Sequence, residues 1–173
     1  MTTETGHQTT WLSREAHARL QGTLEELKGP RREEVVARIE SAREEGDLRE
    51  NGGYHAAKEE QGKLEARIRQ LDELLRTSYT GTTPSGETVE QGCVVTVDYG
   101  TPEDPDLETF LFANRENATD EGGKIAIDGQ PTDVYSPESP LGQAIAGART
   151  GDVIEFGERK VKVTIADIRP FEG

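Results

Sequence analysis

Two carboxylates stand three residues apart in the run Asp47-Leu48-Arg49-Glu50. On a helical turn, side chains at this spacing share one face, with their Cβ atoms about 5–6 Å apart, so both can hold one hard cation. Mg²⁺ prefers oxygen ligands, keeps several waters and is commonly held by one or two protein carboxylates beside phosphates. Asp47 and Glu50 therefore form a candidate metal site, which alone would bind the ion weakly.

The same spacing fits a capping box at the start of a helix. Asp47 would then accept a hydrogen bond from a backbone N–H, and Glu50 would reach back toward the start of the helix. From spacing alone, this structural interpretation is the stronger one. Gly52 and Gly53 follow at once and weaken any continuous helix at this point.

Positive charge flanks the two acids, although the protein as a whole is acidic. Arg43, Arg49 and Lys58 all lie close to Asp47 and Glu50 in the sequence. Helix capping does not require cations at this place. Salt bridges to glutamates one helical turn away would also explain them, and the sequence leaves both interpretations open.

Helical periodicity predicts the elements that carry this segment. Ser13 can cap a first helix, Gly29-Pro30 either kinks it or starts a fresh one, and Gly46 suits its end. The second helix has apolar positions alternately three and four residues apart, with one polar member. This heptad seam consists of Tyr54, Ala57, Gln61, Leu64, Ile68, Leu71 and Leu75.

Two helices joined by about ten residues must pack antiparallel, as a helical hairpin. Residues 46–76 would make an arm roughly 45 Å long, with the tip at residues 46–53. An oligomerising coiled coil is an alternative that the period alone does not exclude.

The C-terminal half has short β-type runs separated by turn-rich segments. Ser139-Pro140 can cap a short helix over residues 141–148. We predict an α+β fold: residues 1–79 form the hairpin, residues 80–86 a linker, and residues 87–173 a small antiparallel sheet with a helix on it. The predicted strands are residues 93–99, 108–113, 124–127, 153–156 and 161–168.

Charge and composition restrict the function classes. The net charge is −14, and residues 81–173 hold 18 acidic but only 7 basic side chains. Strong binding to free DNA is not expected, because it needs clustered Lys and Arg. The single Cys93 excludes an internal disulfide and a cysteine-based zinc site. No apolar run suits a membrane span and residues 1–10 lack a signal-peptide pattern, so we expect a cytoplasmic protein with no membrane partner.

Two motifs carry a resemblance to a known family. The run from Arg43 to Gln61, with its Gly-Asp-Leu-x-Glu-Asn core and Tyr-His-Ala-Ala, resembles the signature of the Gre transcript-cleavage factors of bacterial RNA polymerase. Ser136-Pro137-Glu138-Ser139-Pro140-Leu141-Gly142 is similar to the family's C-terminal motif, at the same place in the order. The resemblance covers about Trp11 to Phe171 and is greatest to actinobacterial members.

The resemblance implies a mechanism with the polymerase as the enzyme. The C-terminal domain, similar in fold to FK506-binding proteins, would dock on the rim of the polymerase's secondary channel, and the hairpin would enter that channel. Asp47 and Glu50 match the tip acids that help hold a second Mg²⁺ and its attacking water when the RNA 3′ end is extruded. The positions implied to contact the nascent RNA are Arg43, Asn51, Tyr54, His55 and Lys58. Of these, Asn51, Tyr54 and His55 lie where they could either orient the tip or stack on a base. Those implied to dock are Ser136, Pro137, Ser139, Pro140, Leu141 and Gly142.

Tyr54 also lies on the heptad, where a seam role competes with RNA contact. Gly52-Gly53 stand where many members have Ala-Glu, which is expected to loosen the tip. A channel-binding inhibitor is the alternative function, and retention of Asp47 and Glu50 argues against it. A peptidyl-prolyl isomerase is suggested by fold analogy alone, and no apolar pocket is expected in the C-terminal domain.

Overall fold

The structure, a computed structural model, describes residues 9–81 and 83–172. Residues 1–8, Thr82 of the predicted linker and Gly173 lie outside this description. The chain divides into two compact units. Residues 17–77 form one unit, and residues 9–16 belong with the described residues from 78 onward in the other. The mixed α+β class is confirmed.

The helical unit keeps its chain helical through the predicted break. Helix α1 spans Arg14–Glu26 and α2 spans Arg32–Glu44, and a π-type turn, Leu27–Arg31, joins them. Pro30 lies inside that turn. Proline has no N–H and its ring collides with the carbonyl four residues back in an α-helix, so a widened turn accommodates it. Gly29-Pro30 therefore starts no separate helix.

Helix α3, Gly52–Thr77, packs against α2 along the predicted seam. Salt bridges join Lys28 to Asp72, Arg32 to Glu65, and Arg38 to Glu60. Residue numbers rise along one partner as they fall along the other, so the helices are antiparallel and the predicted hairpin is confirmed. The buried cluster between them consists of Val35, Ile39, Ala57, Leu64 and Ile68.

The second unit is built on a six-stranded mixed sheet. The strands are β3 Cys93–Asp98, β4 Leu107–Phe112, β5 Lys124–Ile127, β6 Gln130–Tyr135, β7 Val153–Phe156 and β8 Val161–Pro170. They lie in the order β5-β6-β4-β3-β8-β7 across the sheet.

Strand β6 was not predicted, and it changes the sheet. It pairs antiparallel with β5 through a tight turn at Asp128 and Gly129, which both have positive φ (51° and 77°). This Asp-Gly pair is a recognised hairpin signal. Strand β6 then runs parallel to β4, so the prediction of a purely antiparallel sheet is wrong.

Both faces of this sheet are covered. Helix α4, Pro140–Ile145, places Leu141 and Ile145 in the cluster on one face. The other face is covered by Trp11, which is 5% exposed and makes an edge contact with the Phe171 ring, at a centroid distance of 6.2 Å. The prediction that residues 1–79 belong to the hairpin is therefore wrong for Trp11, which packs on the sheet.

Hydrogen bonds fix the segment around Trp11 to the sheet unit. Strand β1, Thr10–Trp11, pairs parallel with β2, Ser78–Tyr79. The buried Asn117 side chain accepts from the Ser13 N–H at 2.8 Å and donates to the Trp11 carbonyl at 3.2 Å. Gly92 passes so close beneath the indole that a Cβ there would lie 2.8 Å from the ring. A pattern of local propensity cannot detect such long-range contacts.

Within residues 9–81 and 83–172, the structure contains no helix long and apolar enough to cross a membrane.

Trp11→Ala should destabilise the sheet unit by about 3–5 kcal/mol, because it removes a large buried side chain and leaves a cavity. Urea unfolding followed by far-UV circular dichroism measures this free energy. Trp11→Phe, which keeps an aromatic ring at the site, should lose less. Unchanged unfolding of the alanine variant would contradict the packing described.

Candidate functional site at the tip of the hairpin

The segment between α2 and α3 is a short loop made of defined turns. Helix α2 ends where the Glu45 N–H donates to the Ala42 carbonyl at 3.3 Å. Gly46 follows with a φ of 126°, in the region that favours glycine, in agreement with its prediction as the helix end. Next comes a turn in which the Glu50 N–H donates to the Asp47 carbonyl at 3.4 Å.

Asp47 and Glu50 lie in this turn and not on a helix. Asp47 Oδ1 accepts from the Arg49 N–H at 3.0 Å, an Asx turn that occupies one carboxylate oxygen. A capping box would need Asp47 to accept from the Glu50 N–H instead, so the capping-box interpretation is wrong. Both acidic residues are exposed.

In the described part of the chain, no group of three or more His, Cys, Asp or Glu side chains is arranged to hold a metal ion. Asp47 and Glu50 are nevertheless suitable ligands, since each offers exposed carboxylate oxygen. Mg²⁺ takes a near-octahedral shell, so two carboxylates fill only part of it. A metal at this tip would need further ligands or water.

The cap of α3 is Asn51. Its Oδ1 accepts from the Tyr54 N–H at 3.0 Å, and its Nδ2 donates to the Ala42 carbonyl at 2.6 Å. One side chain thus satisfies a free donor at the start of α3 and adds a second hydrogen bond to a carbonyl at the end of α2. Sequence reasoning missed both bonds, although asparagine just before a helix is a favoured cap.

The basic residues at the tip differ from those along the body of the hairpin. Among the described residues, no carboxylate oxygen lies within 4.0 Å of the charged nitrogens of Arg43, Arg49 or Lys58. Lys58 Nζ donates to Gln61 Oε1 at 2.8 Å. Salt bridges therefore do not explain these three cations. Farther from the tip, the ion-paired basic side chains of the hairpin include Lys28, Arg31, Arg32, Arg38 and Lys63.

Tyr54 and His55 have different surroundings. Tyr54 is half-buried against the hairpin cluster, so its predicted seam role is confirmed. The Arg43 guanidinium carbon lies 5.8 Å from the Tyr54 ring centroid, within the range of a cation–π contact. His55 is exposed and meets the Tyr54 ring edge-on at 5.7 Å. Of the two aromatic rings, that of His55 is the more accessible to a ligand.

The C-terminal motif forms a tight turn that starts α4. Ser139 Oγ accepts from the Gly142 N–H at 3.0 Å and donates to the Ser136 carbonyl at 2.7 Å. Ser136 Oγ accepts from the Glu138 N–H at 3.2 Å. Pro140 occupies the first turn of the helix, as predicted. The serines thus shape the motif through its backbone.

Within this motif, Leu141 and Gly142 are buried. Leu141 is 7% exposed and belongs to the core cluster under α4, and a Cβ on Gly142 would lie 2.2 Å from the Ser136 carbonyl oxygen. Packing therefore explains why leucine and glycine occupy these two positions. In any docking, both residues would support the motif and would not contact the partner directly. Pro137 is half-buried, whereas Glu138 and Pro140 are exposed and can meet a partner.

An open groove of about 260 Å³ lies beside this motif, lined by Tyr99, Tyr135, Ser139, Pro140, Leu141 and Phe156. The expectation of no apolar pocket in this domain is therefore wrong. The Tyr135 hydroxyl donates to Glu108 at 2.5 Å, and that bond together with burial raises the pKa of Tyr135. Burial and the nearby Glu108 raise the pKa of Tyr99 to about 12. Both phenols stay uncharged near neutral pH.

The family pattern described as "Transcription elongation factor, N-terminal" matches residues 10–79, and that described as "Transcription elongation factor, GreA/GreB, C-term" matches residues 84–170. The chain is 44% identical over 175 residues to Transcription elongation factor GreA of Streptomyces coelicolor, covering 99% of each chain. It is 47% identical over 170 residues to Transcription elongation factor GreA of Saccharopolyspora erythraea, covering 96% of this chain and 98% of the relative. Among solved structures, GreA factor homolog 1 (Gfh1) of Thermus thermophilus is 24% identical, covering 94% of this chain and 99% of that one, with a TM-score of 0.42.

Gly52→Ala and Gly53→Ala should each stabilise the hairpin by about 0.5–1 kcal/mol, because both glycines are in the first turn of α3 with ordinary helical φ. A Cβ on Gly52 meets nothing within 4 Å, and one on Gly53 touches only the Asn51 side chain at 3.4 Å. Thermal melting followed at 222 nm tests this expectation. Gly46→Ala is the matched control and should destabilise, since its φ is positive.

Proposed function

The chain belongs to the GreA/GreB family of transcription elongation factors, and from that membership we propose that it stimulates cleavage of backtracked nascent RNA by bacterial RNA polymerase. The protein acts with the polymerase and is not a stand-alone enzyme. The observation that carries the proposal is the pair of exposed acids, Asp47 and Glu50, on a loop at the end of a two-helix arm. We place the protein in the cytoplasm, with the polymerase.

Asp47 and Glu50 are proposed to complete the ligand shell of a Mg²⁺ ion in the polymerase active site. The ion, when bound, activates water and stabilises charge on the scissile phosphate. Within the described structure, Glu50 has both carboxylate oxygens available, and Asp47 has the oxygen that the Arg49 N–H does not occupy. The tip contributes too few ligands to hold Mg²⁺ stably by itself, which explains why chemistry would require the complex.

The length of the hairpin determines how far the two acids can extend into the polymerase. Helix α3 has 26 residues, which correspond to roughly 39 Å at 1.5 Å per residue. That length would carry the acids along the secondary channel to the reacting phosphate. Arg43 and Lys58 are proposed to contact the extruded RNA, because their positive charges have no acidic partner among the described residues. His55 would stack on a base.

The sheet unit is proposed to dock on the rim of that channel through the motif from Ser136 to Gly142. Glu138 and Pro140 are its exposed members, and Pro137 is partly exposed. The acid excess of residues 81–173 favours a basic partner surface. A channel-binding inhibitor that does not stimulate cleavage is the alternative. It is not favoured, because the relatives matched over nearly the whole chain are named elongation factors.

Asp47→Asn and Glu50→Gln should each lower the stimulation of RNA cleavage by about 100-fold, because a metal ligand contributes several kcal/mol to charge stabilisation. Folding should be nearly unchanged, since asparagine also forms Asx turns and the Glu50 carboxylate supports no hydrogen bond in the described structure. Stalled, backtracked complexes with Mg²⁺ measure cleavage as RNA shortening on a gel.

Melting curves and competition for polymerase are the controls for these acid variants. Raised Mg²⁺ should restore part of the lost activity. Normal stimulation by the Asp47→Asn/Glu50→Gln double variant would falsify the metal assignment. Lost stimulation together with lost polymerase binding would point to docking instead.

Lys58→Gln should weaken stimulated cleavage several-fold, with a loss that depends on salt, because a phosphate contact releases counterions. Lys63→Gln is the matched control on the same helix, since Lys63 is already paired with Glu59 at 2.6 Å. Cleavage rates at two salt concentrations compare the two variants. Equal effects of the two substitutions would exclude a specific RNA contact at Lys58.

A further inference from the structure

We infer that Asn51 is a positioning residue, which closes the loop of Asp47 and Glu50 onto the end of α2 and thereby sets where the two acids point. The effect of Asn51 on RNA cleavage rests on the proposed function. The closure itself is a property of the free chain. Asn51 is assigned no contact with the metal ion.

The loop is anchored at both ends on one atom, the carbonyl oxygen of Ala42. At the start of the loop, this oxygen accepts from the Glu45 N–H at 3.3 Å. At its end, it accepts from Asn51 Nδ2 at 2.6 Å. Ala42 is 7% exposed and packed into the hairpin, so this acceptor is held by the seam. Residues 46–50 lie between these two hydrogen bonds, which therefore fix the position of the loop relative to α2.

Little else in the described structure restrains these residues. Leu48, the apolar side chain of the turn, is 39% exposed and belongs to none of the buried clusters. Gly46 precedes the acids and Gly52-Gly53 follow them, and glycine is the residue with the most backbone freedom to lose. The Asx turn at Asp47 is internal to the loop and cannot fix it to the helices. The Asn51–Ala42 bond supplies that connection.

Orientation matters because Mg²⁺ demands near-ideal octahedral geometry. A loop free to rotate would present the two carboxylates to the ion in a small fraction of its conformers, and a ligand's apparent affinity falls with that fraction. Asn51 would therefore act on Mg²⁺ occupancy, while docking by the sheet unit would be unaffected.

Asn51→Ser separates the two bonds made by this side chain. Serine is as good a helix cap as asparagine, so the bond from the Tyr54 N–H is retained. Its hydroxyl is too short to replace Nδ2 at the Ala42 carbonyl. Asn51→Ala removes both bonds. If Asn51 acts only as a helix cap, Asn51→Ser behaves like the wild type. If the bond to the Ala42 carbonyl positions the loop, Asn51→Ser behaves like Asn51→Ala.

The first measurement uses the free full-length chain, without polymerase. We expect ¹⁵N relaxation order parameters of the Asp47 to Glu50 amides to fall below about 0.6 in Asn51→Ser, from values near those of rigid backbone, while Tyr54 stays rigid. Unchanged order parameters at Asp47 to Glu50 would overturn the inference.

The second measurement is the Mg²⁺ midpoint of stimulated cleavage. Asn51→Ser should raise it about fivefold, the fold-change that corresponds to one net hydrogen bond, with full activity regained at high Mg²⁺ and unchanged competition for polymerase. A wild-type midpoint in Asn51→Ser, alongside lost activity in Asp47→Asn, would overturn the inference and leave the proposed function standing. A wild-type protein that does not stimulate cleavage would overturn the proposed function, and the relaxation data alone would then decide whether Asn51 closes the loop.

Discussion

Everything at the tip depends on a single apolar seam between two antiparallel helices. A two-helix hairpin has no second layer, so its rigidity comes from one row of side chains, such as Val35, Ile39 and Leu64, and from the ion pairs beside it. Arg32 holds Glu65 with two bonds of 2.8 Å, a geometry stronger than that of a single contact. Exposed pairs contribute only about 0–1 kcal/mol each, so the apolar seam is the main source of stability.

The charged side chains of the hairpin are distributed in a way that suits contact between the tip loop and a phosphate. Basic side chains along the body of the hairpin are ion-paired, and Arg31 and Arg38 share the two carboxylates of Glu34 and Glu60. Near the tip, Arg43 and Lys58 have no such partner among the described residues, and the two acids stand exposed beside them. Among the described residues, several basic side chains of the hairpin body are thus ion-paired, whereas those nearest the tip acids are not. This arrangement links the packing of the seam to the proposed chemistry.

Sequence reasoning identified the elements whose cause is local and missed those whose cause is distant. The heptad from Tyr54 to Leu75 predicted the hairpin because period 3.5 directly reports one buried face. Ser139-Pro140 predicted the start of α4, because capping is a short-range interaction. Trp11 was misplaced, since its contacts with Phe171 and Gly92 cross about eighty residues or more and leave no local signal. Within the site, the roles assigned to Asp47 and Glu50 stay a prediction, and the turn at Asp47 and the bond from Asn51 to Ala42 required coordinates. The resemblance to actinobacterial Gre factors is confirmed by the relatives.

We propose above all that the loop from Gly46 to Asn51 reaches the metal ion in the polymerase active site. Replacing Mg²⁺ by Fe²⁺ in a backtracked complex and generating hydroxyl radicals at the bound iron would cut any backbone close to that ion. The account predicts cuts in this chain confined to residues near 46–52, which disappear when excess Mg²⁺ displaces the iron. Cuts concentrated in the sheet unit, or an uncut chain in a complex shown to contain it, would contradict the account.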